Sequence, residues 1–408
     1  MSTHVSAASL RKMYKRGVCT FGGTHFLNDM LTTGIIPALL PLYKATFDLT
    51  YAQTGLIVLV SYLTSSLMQP LLGIWTDKKS MVWLLPLGVV LSNAALALTG
   101  AVPKFTWVLV LVGLSGLGSA AFHPEAARGT FLASGNSRGL AQAIFQVGGN
   151  AGQAVAPLLI PLFLMHTGIH GLIWLLVVAV ISLFLGAQIL PWYKDNVEMN
   201  TRKAKVITET NRWGGMVLLI IVIVMRSWSQ IGIVGFLPFI LQKQMSLGHT
   251  EILNFVFLGA GAAGTFFGGA ISDRVSKKSV IVYSLLFAIP FALLLPHVHN
   301  VVSITVVLLL LGFFVLASFA VTVVYAQMLL PRNLALASGL NIGFGVGAGG
   351  IGATLLGNWA DLYGVGVVFQ ILSFLPILAI LFAVFLPKDK GGQWADRNRR
   401  PNSSAMSV

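Results

Sequence analysis

The sequence predicts an all-α membrane protein of twelve transmembrane helices, arranged as two parallel, pseudo-symmetric six-helix bundles. Three observations predict it. The 408 residues are 56% hydrophobic and only 9% charged, with a mean hydropathy of +0.84, whereas soluble domains carry about 25% charged residues. Apolar runs able to cross a bilayer core, which takes roughly 20 residues, recur at about 18–43, 53–73, 81–101, 105–127, 138–163, 169–191, 214–241, 250–271, 279–298, 301–328, 334–358 and 364–386. The second six runs also echo the first six. Gly73 and Asp77 of "GIWTDKKS" return as Gly269 and Asp273 of "GAISDRVSKKS", each 196 residues later. "GLAQAIFQVGGNAG" (139–152) returns as "GLNIGFGVGAGGIG" (339–352), and Pro41 aligns with Pro238.

This repeat divides the chain into an N-terminal tail (1–17), a first bundle (18–191), a charged linker (192–213), a second bundle (214–387) and a C-terminal tail (388–408). Twenty-two of the 26 Lys and Arg fall in the tails or in the loops after even-numbered spans. Basic residues gather on the cytoplasmic side of membrane proteins, so both termini are expected there. The net charge of +14 therefore reflects topology and not nucleic-acid binding. The basic N-terminus lacks an A-x-A cleavage site, so the first run reads as a retained span. A single cysteine, Cys19, excludes internal disulfides.

Each short loop offers a gate. Gly73 or Gly269 lets helix ends approach, and Asp77 beside Lys78, or Asp273 beside Arg274, can lock and release. A solvated turn would explain either loop alone, but repetition at the same topological place favours a gate. "GVGAGG" (345–350) has dinucleotide-fingerprint spacing without a preceding strand, so it reads as close helix packing. "FHPEAAR" puts His123 and Glu125 two residues apart, on opposite helix faces, and no metal site is expected. Neither a Ser-His-Asp set nor a phosphate-binding G-xxxx-GK is present, which speaks against an enzyme or an ATP-driven pump and calls for no cofactor.

Ionisable residues inside spans are expensive and face the protein interior or a cavity. Asp29 and Arg226 sit near mid-span, 197 residues apart, at corresponding places in the two halves. A fixed salt bridge is one reading; a titratable acid and an anion-attracting base facing one cavity is the other. His25, Asn28, Asp29 and Thr32 share a helix face by their i, i+3, i+4, i+7 spacing. In the fourth run, Glu125 and Arg128 lie one turn apart, Arg128 either snorkelling or helping a gate. Gln142, Gln146, Asn150 and Gln153 form a stripe in the fifth run. Tyr325, Gln327 and Asn341 complete the candidates. Parallel six-span repeats suit alternating access, with a site at the repeat interface near mid-membrane.

The loop pattern resembles that of the major facilitator superfamily. Together with "MQPLLGIWTDKKSMVWLLPLG" (68–88), "HFLNDM" (25–30), "AFHPEAAR" (121–128), "GLAQAIFQVGGN" (139–150) and "VVYAQMLLP" (323–331), the chain resembles the fosmidomycin resistance branch of it. That resemblance implies a twelve-helix inner-membrane exporter driven by proton antiport. Within its strings fall His25, Asn28, Asp29, His123, Glu125, Gln146, Asn150, Tyr325 and Gln327. Asp29, Glu125 and His25 are the expected proton-coupling groups. Arg226, Asn28, His123, Gln146, Asn150, Tyr325 and Gln327 are the expected substrate contacts. Met328 stands where the family string carries an acid, and span 4 lacks the exporter Arg-xxx-Gly pattern. The expected partners are protons, lipid and a small anionic substrate such as a phosphonate, handled by a monomer. Import or facilitated flow of an organic anion on the same scaffold is the alternative.

The charge asymmetry makes a topological prediction. A cysteine introduced at Ser403 stays unreactive towards an impermeant external thiol reagent in intact cells; labelling there would refute a cytoplasmic C-terminus.

Overall fold

Backbone polar groups in lipid must find partners within their own segment, and the chain meets this with helices throughout. The computed structural model describes residues 12–389 except 50, 80, 165–166, 205–209 and 246–249, so the outer parts of both tails lie outside it. Of the paired prolines, neither side chain is among those described. The first rod is α1 (Lys15–Asp29), a π-helical segment Met30–Ile35, and α2 (Ile36–Phe47). Next come α3 (Tyr51–Lys78), α4 (Leu84–Leu98), α5 (Phe105–Ala133), α6 (Arg138–Leu164) and α7 (Leu176–Ala204). The second half holds α8 (Trp213–Met245), α9 (Thr250–Ser272), α10 (Lys277–Leu294), α11 (Val301–Ala317), α12 (Phe319–Leu329), α13 (Leu334–Tyr363) and α14 (Val365–Ala383).

Twelve rods result, six per half. Among the described residues, ten helices are long and apolar enough to cross a membrane. The two rods not among them are the first, with Asp29, and the fifth, with the Gln/Asn stripe. Three details depart from simple spans. The π segment follows Asp29 directly, and such segments often sit at functional sites. The tenth rod breaks at Ser318 between α11 and α12. The sixth begins as a 3-10 turn, Gly168–Leu175, and its helix α7 runs on into the charged stretch expected to be linker.

Each half packs its own apolar core. In the first, Phe21, Leu31, Ile36, Tyr43, Phe122 and Phe145 are fully buried; in the second, Phe257, Leu308, Tyr325 and Phe369 are. Exposed Leu59, Leu67, Trp75, Val180, Phe184, Phe255 and Phe385 face outward, as a lipid-facing surface requires. The halves meet along α3 on α13 and α6 on α9, the same helix pair taken from opposite halves. Within the first half α6 lies flush on α1. A Cβ at Gly148 would stand 2.3 Å from Gly22 O, and one at Gly152 2.2 Å from Phe26 O. That approach brings α6 side chains up to Asp29.

Candidate functional site: a polar cavity and two latches

A cavity of about 80 Å³ lies between the halves. The first half contributes His25, Asp29, Thr32, Ser119, His123, Gln146, Asn150 and Gln153 to its wall, and the second half Phe319, Ile342 and Val346. Asp29, 6% exposed, is held from three helices. His25 Nε2 lies 3.3 Å from Oδ2 and His123 Nε2 3.2 Å from Oδ1. Asn28 Nδ2 donates to Oδ1 at 3.0 Å, and Gln153 Nε2 donates to Oδ2 at 3.1 Å. His25 stacks on Phe145, ring centroids 4.1 Å apart. The histidines are fixed from behind: each Nδ1 lies 2.8 Å from a backbone carbonyl, of Phe145 for His25 and of Ser119 for His123.

Arg226 is not the partner of Asp29. It is 2% exposed, reaches Thr322 Oγ1 at 3.4 Å and lies 4.5 Å over the Phe319 ring. No carboxylate among the described residues pairs with it. The expectation of an acid and a base facing each other across one cavity is corrected accordingly: Phe319 lines the cavity, and Arg226 stands behind that ring. The expected second proton site also lies elsewhere. Glu125, 0% exposed, accepts from Tyr193 Oη at 2.6 Å and lies 3.7 Å from Arg128. Arg128 in turn donates to Thr76 O at 3.2 Å. This network braces α3, α5 and α7 beneath the first loop, away from the cavity wall.

Two expected substrate contacts are likewise placed outside the cavity. Tyr325 Oη donates to Pro387 O at 2.5 Å, at the far end of α12. Gln327 donates to Ser338 Oγ at 2.9 Å, between α12 and α13. Gln146, Asn150 and His123 do line the cavity, and Asn28 supports it from behind. Not anticipated were Ser61, Tyr62, Ser65 and Gln69 of α3, which line it too. Their spacing places them on one helix face, the signal that could have found them. His25, Asp29 and His123 also form the one group of potential metal ligands among the described residues, against the expectation of none. Their convergence comes from three-dimensional packing of α1 against α5, which a search for short motifs misses.

The repeated loops form a matched pair of latches. Asp77 accepts from the backbone N–H groups of Ala335 (3.1 Å) and Leu336 (2.9 Å), at the start of α13. Asp273 accepts from those of Gly139 (2.7 Å) and Leu140 (3.0 Å), at the start of α6. Each carboxylate thus caps a helix of the opposite half, where unpaired N–H groups and the helix dipole favour an anion. The expected role of the adjacent cations is corrected: Lys78 and Arg274 are exposed, and the lock is carboxylate to helix start. The loop glycines permit it. A Cβ on Gly73 would meet Ala335 O at 2.8 Å, and one on Gly269 would meet Gly139 O at 2.5 Å. "GVGAGG" lies inside α13 and packs on α8, where Ser227 donates to Gly345 O and Trp228 Nε1 to Ala348 O. Burial pushes the Asp273 carboxyl above its ordinary value, so its latch loses charge earlier on acidification than an exposed aspartate would.

Twelve rods in two like halves, with a polar cavity between them and latches at one end, define a membrane transport protein of the alternating-access kind. The chain belongs to the Major Facilitator Superfamily, whose family model matches residues 21–253 and again 219–407. It is a multi-pass transporter of a small molecule and not an enzyme. It is 38% identical over 376 residues to the Fosmidomycin resistance protein of Escherichia coli (strain K12), covering 90% of this chain and 91% of that protein. It is also 38% identical over 384 residues to the uncharacterized MFS-type transporter YfnC of Bacillus subtilis (strain 168), covering 92% of each. The fold matches the Major Facilitator Superfamily transporter FucP in its outward conformation, with TM-score 0.71 at 15% identity over 91% of this chain and 99% of that one.

Hydrogen bonds to a charged acceptor contribute about 1.5–3 kcal/mol each when buried. Asp77→Asn and Asp273→Asn are therefore expected to shift the open–closed equilibrium of the loop end about tenfold or more each. Cysteine accessibility near residues 139 and 335 should rise and turnover should fall, with substrate affinity changed little. Unaltered accessibility and turnover in both variants would reduce the loops to turns.

Proposed function

We propose that the protein is a proton-coupled secondary transporter of the bacterial inner membrane, exporting a small anionic compound of the phosphonate type, such as fosmidomycin, in exchange for protons. The single observation that carries this reading is Asp29 clasped by two histidines in a cavity between the halves. A titratable group there exchanges protons with whichever side the cavity faces. Arg226, a buried cation with no carboxylate partner among the described residues, is the anion-attracting group, reached when Phe319 turns aside. With both termini cytoplasmic, the latched end is the cytoplasmic one, and the form described is closed towards the cytoplasm. The relative named for fosmidomycin resistance supports export and that substrate class.

Exchange requires that substrate and protons not be held together. The cavity of about 80 Å³ is well below the roughly 300–1,000 Å³ of drug-sized sites. Substrate must therefore widen it. Widening parts the halves and opens Asp29 and its clasp, which all belong to the first half, to the side the cavity then faces. Water entering there weakens the charge-assisted contacts that hold bound protons. A second reading, inward co-transport of an anion with protons, is favoured by one observation: Arg226 is a buried cation behind the cavity wall, and its charge attracts an anion that protons would accompany.

Proteoliposomes with an imposed pH gradient and labelled fosmidomycin decide between them. Exchange predicts fosmidomycin movement opposite to the proton flow; movement with it establishes co-transport; insensitivity to the gradient refutes proton coupling. Asp29→Asn should abolish gradient-driven movement while substrate binding persists. Arg226→Ala should weaken binding by about 10–100-fold, the loss of a charge-assisted contact.

A further inference from the structure

We infer that the His25–Asp29–His123 cluster is a two-proton site, with both imidazoles charged against one ionised carboxylate, so that His25 and His123 carry the protons and Asp29 holds them in place. The role of this site in transport rests on the proton-coupled reading above. The proton count itself follows from the hydrogen bonds.

A carbonyl oxygen only accepts, so an imidazole nitrogen 2.8 Å from one carries the hydrogen. His25 Nδ1 faces Phe145 O at that distance and His123 Nδ1 faces Ser119 O. Ser119 Oγ, farther from His123 Nδ1 at 3.1 Å, takes a hydrogen from Asn28 Nδ2 at 3.1 Å. Both Nδ1 atoms are thus committed as donors, and both Nε2 atoms point at oxygens of the same carboxylate. Were both histidines neutral, two nitrogen lone pairs would face two carboxylate oxygens at 3.2 and 3.3 Å, a repulsive contact. One proton, wherever it sits, relieves one contact and leaves the other. Two protons turn both into charge-assisted hydrogen bonds.

The acceptor side closes the same count. An ionised carboxylate offers about four lone-pair sites. Oδ1 accepts from Asn28 Nδ2 and faces His123 Nε2; Oδ2 accepts from Gln153 Nε2 and faces His25 Nε2. With both histidines charged, all four sites are filled by donors and none is idle. A divalent transition metal is the rival occupant. The three residues are close enough to ligate one, and ligating histidines hold their second nitrogen on carbonyls; the metal-shifted signal in the experiment below tells it from protons.

Among the described residues, no further charge lines the cavity. α1 supplies His25 and Asp29, and α5 supplies His123. α6 presents the uncharged Gln146, Asn150 and Gln153; α3 presents Tyr62, Ser61, Ser65 and Gln69; α12 and α13 present Phe319, Ile342 and Val346. Filling and emptying the site therefore swings the cluster between formally positive and formally negative.

Solid-state 15N NMR on the full-length protein in liposomes, labelled with 15N-histidine and 13Cγ-aspartate, counts these protons at about pH 6, near the ordinary histidine value. In the wild type, two protonated Nε2 signals should dephase against aspartate carboxylate carbon, each belonging to a ring with both nitrogens protonated. His25→Gln and His123→Gln should each remove one such signal, and Asp29→Asn should remove both dephasings. A single protonated Nε2 near the carboxylate overturns the inference in favour of a one-proton site. A metal-shifted Nε2 signal reversed by EDTA overturns it in favour of a metal. None of these results depends on transport, so failure of proton coupling itself would show separately in the pH-gradient assay.

Discussion

A carboxylate in the middle of a membrane must be compensated, and the structure depends on how Asp29 is. An uncompensated charge in a low-dielectric interior is penalised by several kcal/mol. The chain compensates it locally, with His25 one turn before it, Asn28 beside it, His123 from α5 and Gln153 from α6. All of these belong to one half of the molecule. Had Arg226 been the partner, the charge pair would have bridged the two halves and every opening of the cavity would have had to break it. Compensation within one bundle leaves the interface free to separate. It also leaves Arg226 uncommitted, covered by Phe319.

Where the halves are held together, the bonds are of a reversible kind. Asp77 on Ala335 and Leu336, and Asp273 on Gly139 and Leu140, are the same interaction at symmetry-related places: both the acid and its target recur 196 residues on. A carboxylate at a helix start is stabilised by ready-made donors and needs no long side chain to be ordered. When it lets go, those donors and the carboxylate can take water instead. Behind the first latch, Arg128, Glu125 and Tyr193 hold α3, α5 and α7 in register. The loop carboxylates thus cap the opposite half at one end, over a braced first half, and the Asp29 cluster sits in the middle of the same bundle.

Much of this was legible in the sequence. Runs of apolar residues gave the rods, and the offset between the two G-xxx-D loops gave the repeat. Asp29 stood out because a charge inside a span needs a reason. The partners of Asp29 were harder to read. Helical periodicity relates residues on one helix, so His25 and Asn28 were visible beside Asp29, but His123 and Gln153 arrive from other helices by tertiary packing. Equal position in the two halves suggested an Asp29–Arg226 pairing; pseudo-symmetry relates places without bringing them into contact. Tyr325 and Gln327 read as substrate contacts because they fall within the string "VVYAQMLLP" that carries the family resemblance, whereas the break at Ser318 and the short helix α12 place them near the loop end. The α3 stripe of Ser61, Ser65 and Gln69 was overlooked because small hydroxyls attract less notice than charges.

Local compensation of Asp29 can be measured by double-mutant cycles on unfolding of the purified protein in detergent, with variants at Asp29 paired in turn with His123 and Arg226. Groups that do not touch add within about 0.3–0.5 kcal/mol, while contacting pairs couple by about 0.5–3 kcal/mol. Asp29→Asn with Arg226→Met should be additive, and Asp29→Asn with His123→Gln should be strongly non-additive. Strong coupling between Asp29 and Arg226, with none between Asp29 and His123, would contradict the account.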